Sequence, residues 1–229
     1  MAAKVIAVFN QKGGCGKTTI AMSLAGSFAL RGYAALVVDM DFQGTASRWS
    51  SAAPEHRPFP ASVMSLAPME GKMHRELRNH IDNFDVIVID CPPAMNSAAP
   101  TSAMLISDLA LIPLVPSPAD IWAAESAKKL AEAAQANNEG LVTRVVANMV
   151  QRSTSLAKDL LELLEEDQEH PLLKSSFGSR AAFREAQIIG STVHLVPRAA
   201  TAIEEVETMT DEVLGLLGLP KRKGRGAAK

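Results

Sequence analysis

The glycine-rich segment at residues 12–19, Lys-Gly-Gly-Cys-Gly-Lys-Thr-Thr, constrains the fold of this chain more than any other feature. It follows an apolar run at residues 5–9 that is typical of a buried strand, and it leads into an Ala-, Leu- and Met-rich pattern that predicts a helix. Glycines let the backbone curl so that successive N–H groups point inward at phosphate oxygens. The helix that follows adds the partial positive charge of its N-terminus. The segment therefore predicts a phosphate-binding loop.

Two lysines flank the glycines of this loop. Lys17 is expected to reach the β- and γ-phosphates of a nucleotide, and the hydroxyl of Thr18 is expected to ligate Mg²⁺. The common pattern G-x-x-x-x-G-K-[ST] is not met, because its first glycine would fall at Gln11. A second lysine, Lys12, stands at the loop entrance instead.

Six short, nearly continuous apolar runs recur along the chain, and each is typical of a strand covered on both faces. They lie at residues 5–9, 34–38, 63–66, 86–89, 109–114 and 142–147. Helical patterns lie between or after them, at residues 18–31, 120–136 and 155–170, and in the final segment from Ile203 to Leu217. The alternation predicts an α/β fold, with a mostly parallel twisted sheet covered by helices on both faces.

The form KGGxGKTT resembles the "deviant" Walker A loop of the ParA/MinD family of ATPases. The resemblance implies a P-loop NTPase fold, ATP and ADP as ligands, and Mg²⁺ as the metal. It makes Lys12 the signature lysine, which reaches across a dimer to the partner's phosphates, and so gives Lys12 and Lys17 catalytic roles. The residues that bind the nucleotide phosphates are then Gly13, Gly14, Cys15, Gly16, Lys17, Thr18 and Thr19.

Acidic residues follow two of the other predicted strands. Asp39-Met40-Asp41-Phe42-Gln43 resembles the family's D-x-D-x-Q switch, in which the second acid, Asp41, positions the attacking water and lies near Mg²⁺. Asp90 ends the run at residues 86–89, where a carboxylate faces the phosphates at the carboxyl edge of the sheet and holds the Mg²⁺ shell. The expected metal-site residues are therefore Thr18, Asp41 and Asp90, and Asp41 is also a catalytic candidate.

The resemblance extends to later parts of the chain. Residues 107–120 are similar to the family's strand and Pro-rich loop at the dimer face, which places Pro118 and Asp120 near the nucleotide. Asn148 and the loop at Pro197 occupy positions where relatives approach the adenine. Cys15 and Cys91 are expected to be reduced, buried thiols. An iron–sulfur role, as in the related nitrogenase iron protein, is disfavoured because one lies in the phosphate loop and the other follows Asp90.

Charge is distributed unevenly along the chain. The chain of 229 residues has a net charge of −2. Its last ten residues hold five cations and no acid, so residues 1–219 carry a net charge of −7. The chain length predicts a single domain at 1–219, which the resemblance makes an ATPase, and the charge predicts a basic, flexible tail at 220–229. The tail is either a solubility feature or a contact with a polyanion. The candidate DNA-contacting cations are Lys174, Arg180, Arg184, Arg198 and those of the tail.

The resemblance is strongest to the small plasmid-partition ParA proteins, since the first strand leaves no room for an N-terminal helix-turn-helix domain. It implies an ATP-dependent homodimer that binds DNA nonspecifically and distributes plasmid or other cargo, with ATP hydrolysis stimulated by a ParB-like or cargo-adaptor partner. No signal peptide or membrane span is expected, so the predicted location is the cytoplasm, on the nucleoid when ATP is bound. A MinD-like membrane switch is an alternative, although the tail has no large apolar residue to insert. A small-substrate ligase or kinase is another, and it gives no reason for Lys12.

Overall fold

One sheet of six parallel strands forms the centre of the protein. The computed structural model describes residues 2–93, 97–151 and 155–222. The strands are β1 (Lys4–Val8), β2 (Ala35–Asp39), β3 (Ser62–Ser65), β4 (Val86–Asp90), β5 (Leu109–Leu114) and β6 (Val142–Ala147). Their order across the sheet is β3-β2-β4-β1-β5-β6, and every neighbouring pair is parallel. The predicted fold class is confirmed, and each strand lies within one residue of its predicted run.

The strands β1, β2, β4 and β5 are buried on both faces, which explains why their sequences are almost continuously apolar. The edge strand β3 departs from the prediction, because Ser62 and Ser65 are exposed and its two apolar residues are only half-buried. Successive residues of a strand point to opposite faces. Thus Ile6 and Val8 belong to the hydrophobic core on one face, while Val5 and Ala7 belong to the core on the other. Helices cover each face.

Eight α-helices surround the sheet in the described ranges. They are α1 (Lys17–Leu30), α2 (Thr45–Ser51), α3 (Met73–Leu77), α4 (Ala99–Met104), α5 (Pro118–Gln135), α6 (Ser155–Glu165), α7 (Ala181–Ile188) and α8 (Ala200–Leu216). The helix predicted at residues 155–170 was too long at its C-terminal end. The Asp167 carboxylate accepts hydrogen bonds from the backbone N–H groups of Glu169 and His170, and this local turn replaces helical pairing.

The C-terminal helix α8 is tied to α1, the helix that begins at the glycine-rich loop. Val206, Met209 and Val213 are buried on one stripe of α8, as predicted. At the edge of this contact Arg31 bonds Glu207 and Asp211 at 2.6 and 2.5 Å. Burial is offset there by hydrogen bonds from His194, Ser27 and Arg31, which lower the pKa of Glu207 to about 2.

The start of the basic tail returns to the body. Lys221 pairs with Asp211, and Arg222 bonds Asp85 at 2.8 Å and lies 4.2 Å from the ring centroid of Tyr33. The other tail cations, Lys223, Arg225 and Lys229, lie outside the described residues, so the boundary at 219 stays a prediction. No helix in the described ranges is long and apolar enough to cross a bilayer.

Candidate nucleotide site at the carboxyl edge of the sheet

The glycine-rich loop connects β1 to α1 at the centre of the sheet's carboxyl edge. Gly14 and Gly16 have φ values of 77° and 88°, in the left-handed region that favours glycine. The N-cap of α1 is Gly16, and no side chain within the described part of the chain caps its first turn. Its N–H groups and its helix dipole are therefore available to an anion, as phosphate binding requires.

Two buried asparagines hold the loop from opposite ends. The Asn10 amide donates to the carbonyl of Pro113 at 2.7 Å and accepts the N–H of Lys12 at 3.1 Å. The Asn148 amide donates to the carbonyl of Cys15 at 2.8 Å. The sequence placed Asn148 near the nucleotide, whereas Asn10 was missed, although its position directly after a strand and before the loop is a usable signal.

The two lysines of the loop have different surroundings. Lys17 is buried, and its Nζ donates to the backbone carbonyl of Lys12 at 2.8 Å, so its ammonium group lies across the loop. Lys12 instead directs its side chain out of the loop and pairs with Asp120, with Nζ 2.8 Å from Oδ2. Its side chain is 37% exposed. The ammonium group of Lys17 therefore lies within the glycine-rich loop, whereas that of Lys12 lies at the first turn of α5.

Asp120 lies in the first turn of α5, which explains why it meets the loop. Pro118 is the first residue of this helix, and the Ser117 hydroxyl caps it by accepting the N–H of Asp120. Of the two predicted dimer-face residues, Asp120 thus contacts Lys12, and Pro118 begins the helix that positions it.

Asp90 and Thr18 meet where β4 ends beside the loop. The Thr18 hydroxyl donates to Oδ2 of Asp90 at 2.6 Å. The other carboxylate oxygen, Oδ1, is buried and has no hydrogen-bond partner among the described residues. Burial raises the pKa of Asp90 to about 7, and the hydrogen bond from Thr18 only partly offsets it. A buried carboxylate with one oxygen that lacks a described partner, next to a threonine hydroxyl, offers oxygen ligands of the kind that Mg²⁺ prefers.

The two acids at the end of β2 and just after it, Asp39 and Asp41, have different surroundings. Asp39 is fully buried and accepts hydrogen bonds from the Asp41 N–H and from both the N–H and the hydroxyl of Ser47. It therefore fixes the switch loop to the start of α2. Asp41 is half-buried, and its carboxylate accepts the Gln43 N–H at 2.9 Å. The sequence assigned a role to Asp41 but not the positioning role of Asp39.

Both cysteines are free and buried, as predicted. Burial raises the pKa of Cys15 and of Cys91, so both thiols are protonated at neutral pH. Pro197, by contrast, lies with Arg180 and Arg198 on a cavity of about 510 Å³ beside the start of α8. Its contact with adenine stays a prediction.

Comparison with known proteins agrees with this architecture. Residues 6–193 match the CobQ/CobB/MinD/ParA nucleotide binding domain. Maintenance of carboxysome distribution protein A from Halothiobacillus neapolitanus is 30% identical over 210 residues, covering 91% of this chain and 95% of the relative. Cell division protein PomZ from Myxococcus xanthus is 26% identical, covering 90% of this chain and 76% of the relative.

A solved structure gives the same fold at low sequence identity. An ATP complex of a McdA variant from Cyanothece has a TM-score of 0.78 and 14% identity, covering 96% of this chain and 98% of that one. The family match spans most of the chain and includes the loop, Asp41, Asp90 and Asn148. The chain therefore belongs to the CobQ/CobB/MinD/ParA nucleotide-binding family, among the ParA/MinD-like P-loop ATPases.

Proposed function

We propose that this protein is an ATP-dependent switch that dimerises around two nucleotides, binds DNA nonspecifically and distributes cargo. The cargo is a plasmid, a chromosomal region or a protein assembly. Relatives named for carboxysome distribution and for cell division support positioning as the general task. ATP hydrolysis, stimulated by a ParB-like or cargo-adaptor partner, returns the switch to its monomeric state. In this proposal the protein is cytoplasmic and associates with the nucleoid when ATP is bound.

The placement of Lys12 is the observation that carries this proposal. In a single subunit the glycine-rich loop already offers Lys17, its own N–H groups and the N-terminus of α1 to the phosphates. Lys12 adds a second cation, and the acid that pairs with it among the described residues is Asp120 on α5. A second subunit facing this edge would bring its own phosphates within reach of Lys12, and the ammonium would neutralise charge that develops on them during hydrolysis.

Two exposed aromatic side chains at the same edge support a dimer face. Phe42 in the switch loop is 69% exposed, and Trp122 in the first turns of α5 is 73% exposed. Large aromatic groups are enriched where protein surfaces meet. Both lie near residues assigned to the nucleotide, Asp41 and Asp120. Covering them in an ATP-bound dimer would couple association to nucleotide binding.

Within one subunit the residues supply positioning and charge. The loop N–H groups and Lys17 bind the phosphates. Thr18 and Asp90 would hold Mg²⁺, which neutralises phosphate charge when bound, and Asp41 orients the attacking water near it. None of these groups offers covalent catalysis, so turnover is expected to be slow until a partner protein completes the site.

Asp41→Ala is expected to bind Mg·ATP with nearly the affinity of the parent but to hydrolyse it roughly 100-fold more slowly, because water loses its positioning group. The ATP-bound dimer should then persist. Single-turnover phosphate release together with light scattering measures both effects. Hydrolysis at the parental rate would remove Asp41 from the catalytic residues and leave it as a turn-forming residue.

The candidate DNA-binding cations differ in their exposure and in whether an acidic side chain already pairs with them. Lys174, Arg184 and Arg198 are exposed. Arg180 is engaged by Glu205, with Nε and Nη2 at 2.9 and 2.7 Å from its carboxylate. Lys174 and Arg180 line one cavity, and Arg180 and Arg198 line the next, so the exposed Lys174 and Arg198 lie on either side of the paired Arg180 near α8. A net-negative body needs such a local cationic surface to bind DNA.

Replacing Arg184 and Arg198 together with alanine is expected to weaken binding of the ATP-bound protein to every duplex and to flatten the salt dependence. The slope of log affinity against log salt should fall by about 0.9 for each phosphate that the variant no longer neutralises. ATP affinity should not change. Fluorescence anisotropy with two unrelated duplexes, with and without ATP, over a salt series measures these quantities.

Arg180→Ala is the matched control, because Glu205 already neutralises this guanidinium. The salt slope of DNA binding by this variant should therefore stay near that of the parent. Truncation after Arg222 tests the outer tail without disturbing the pairs of Lys221 and Arg222. If ATP changes neither the affinity nor the salt slope of the parent, the DNA-switch proposal is wrong. ATP-dependent flotation with liposomes would then favour the membrane alternative.

A further inference from the structure

Both polar atoms of the Asn148 side chain form hydrogen bonds within the protein. This residue follows β6 and is 2% exposed. Its Nδ2 donates to the Cys15 carbonyl at 2.8 Å, and its Oδ1 accepts the N–H of Met149 at 2.9 Å. Met149 has a φ of 53°, an uncommon conformation for a residue with a side chain. The amide is therefore held in one orientation against the phosphate loop.

The bond to Cys15 fixes more than one carbonyl. In a planar trans peptide the carbonyl of one residue and the N–H of the next point in opposite directions. Capture of the Cys15 carbonyl by Asn148 therefore directs the Gly16 N–H away from Asn148. Phosphate loops need this arrangement, with carbonyls turned outward and N–H groups left for the anion.

Without such a contact the Cys15–Gly16 peptide would be free to rotate. Gly14 and Gly16 lie on either side of Cys15 with left-handed φ values, and glycine adopts both signs of φ at little cost. A rotated peptide would present a carbonyl oxygen to the phosphates and remove one N–H donor. Repulsion between that oxygen and the anion would lower affinity for any polyphosphate, whatever base it carries.

Packing at Gly16 reinforces the contact. A Cβ at Gly16 would lie 1.9 Å from Nδ2 of Asn148, which is far inside contact distance. Only glycine at position 16 lets the amide approach closely enough to hold the carbonyl. The close approach of Asn148 thus explains the glycine, and not only the need for a left-handed φ.

We propose that Asn148 is a positioning residue for the phosphate-binding loop, which holds the Cys15–Gly16 peptide so that its N–H serves the phosphates. Asn148 thereby sets the affinity for the polyphosphate itself rather than only for adenine. The inference rests on the proposed function in one respect, that this loop binds a nucleoside triphosphate.

The test compares binding of Mg·ATP and of Mg·tripolyphosphate, which has no base or sugar. Asn148→Ala is expected to weaken both by a similar factor, roughly tenfold, because the hydrogen bond that orders a binding group is removed. Asn148→Asp keeps the size of the side chain but replaces the donor with a carboxylate. It should weaken both ligands more than alanine does, by roughly 100-fold, because a second negative group then faces the carbonyl and the phosphates.

Asn138→Ala is the matched control. Its amide also donates to backbone carbonyls, those of Met104 and Ser107 at 2.8 Å each, but at the amino edge of the sheet. It should lose stability without losing tripolyphosphate affinity. Circular dichroism melting identifies folded variants, and if Asn148→Ala does not fold, Asn148→Asp decides the question.

The outcomes separate the inference from the function it rests on. Loss of ATP affinity with unchanged tripolyphosphate affinity in the Asn148 variants would overturn the inference and assign Asn148 to adenine. A parent that binds tripolyphosphate and ATP, with variants that bind both equally well, would overturn it too. A parent that binds neither ligand would overturn the proposed function and this inference with it.

Discussion

Replacing Lys17 with alanine is expected to lower the affinity for Mg·ATP by roughly 100-fold or more, whereas replacing Lys12 should leave monomer binding nearly intact and abolish ATP-driven dimerisation. The difference follows from where the two ammonium groups lie. Lys17 is buried in its own loop, with Nζ 2.8 Å from the Lys12 carbonyl. Lys12 leaves the loop and ends at Asp120.

The Lys12 variant has a second expected consequence. Its dimerisation and its ATP hydrolysis should be lost together, because the same ammonium is assigned to the partner's phosphates in both steps. Lys12 must also leave Asp120 before it can cross to a partner. Asp120 is nearly buried, so separating this pair costs more than separating an ion pair in open solvent.

Equilibrium titration at low protein concentration and sedimentation with ATP at high concentration distinguish the two lysines. Lys4→Ala is a matched control, since Lys4, the first residue of β1, also pairs with an acid, Asp108 at 2.7 Å, but at the amino edge of the sheet. It should leave ATP binding and dimerisation unchanged. A Lys12 variant that dimerises and hydrolyses ATP normally would contradict the cross-subunit role.

The sequence predicted the parts of this protein that depend on local pattern. The strands β1, β2, β4 and β5 are apolar on both faces, so their runs are continuous and their limits are clear. The positions of the loop at residues 12–19, of Asp41 just after β2 and of Asp90 at the end of β4 follow from the limits of those strands. The parallel order of the sheet then brings them to one edge, because carboxyl ends of parallel strands meet there.

Contacts between distant residues were not predictable in the same way. Arg180 and Glu205 lie 25 positions apart in the sequence, and the pairing of Lys12 with Asp120 depends on the path of α5 beside the loop. The short helices α2, α3 and α4 have five to seven residues, too few to give a helical repeat. In the sequence Asp39 and Asp41 are two similar acids of one motif. The hydrogen bonds that Asp39 accepts are what show that it positions the switch loop.

Asp90→Asn is expected to stabilise the ligand-free protein at pH 8 while removing its stabilisation by Mg·ATP. Burial raises the pKa of Asp90 to about 7, well above its ordinary value of 3.8. Below about pH 4 the carboxyl is protonated in the folded and unfolded chains, so it has no effect on stability. As the pH rises toward 7 the unfolded chain releases this proton and the folded chain keeps it, which disfavours folding progressively. Above pH 7 the full penalty applies.

A neutral amide at this position avoids that penalty. The free energy of unfolding of Asp90→Asn should therefore exceed that of the parent by on the order of 2–4 kcal/mol at pH 8, and by much less at pH 4.5. Asp39→Asn should behave in the opposite way. Asp39 is the register partner of Asp90 on β2, but three donors satisfy its carboxylate, so its loss should destabilise the protein by about 1–3 kcal/mol.

Urea unfolding of the parent and both variants at pH 4.5 and pH 8, with and without Mg·ATP, measures these differences in stability. Mg·ATP should raise the stability of the parent at pH 8, because the metal replaces the missing partner of Oδ1, and it should have little effect on Asp90→Asn. In this prediction the unpartnered oxygen accounts both for the lower stability of the ligand-free protein and for the stabilisation by Mg·ATP. Equal stabilisation of parent and Asp90→Asn by Mg·ATP would remove Asp90 from the metal site, and an Asp90→Asn variant less stable than the parent at pH 8 would show that the buried carboxylate is favourable in the free protein.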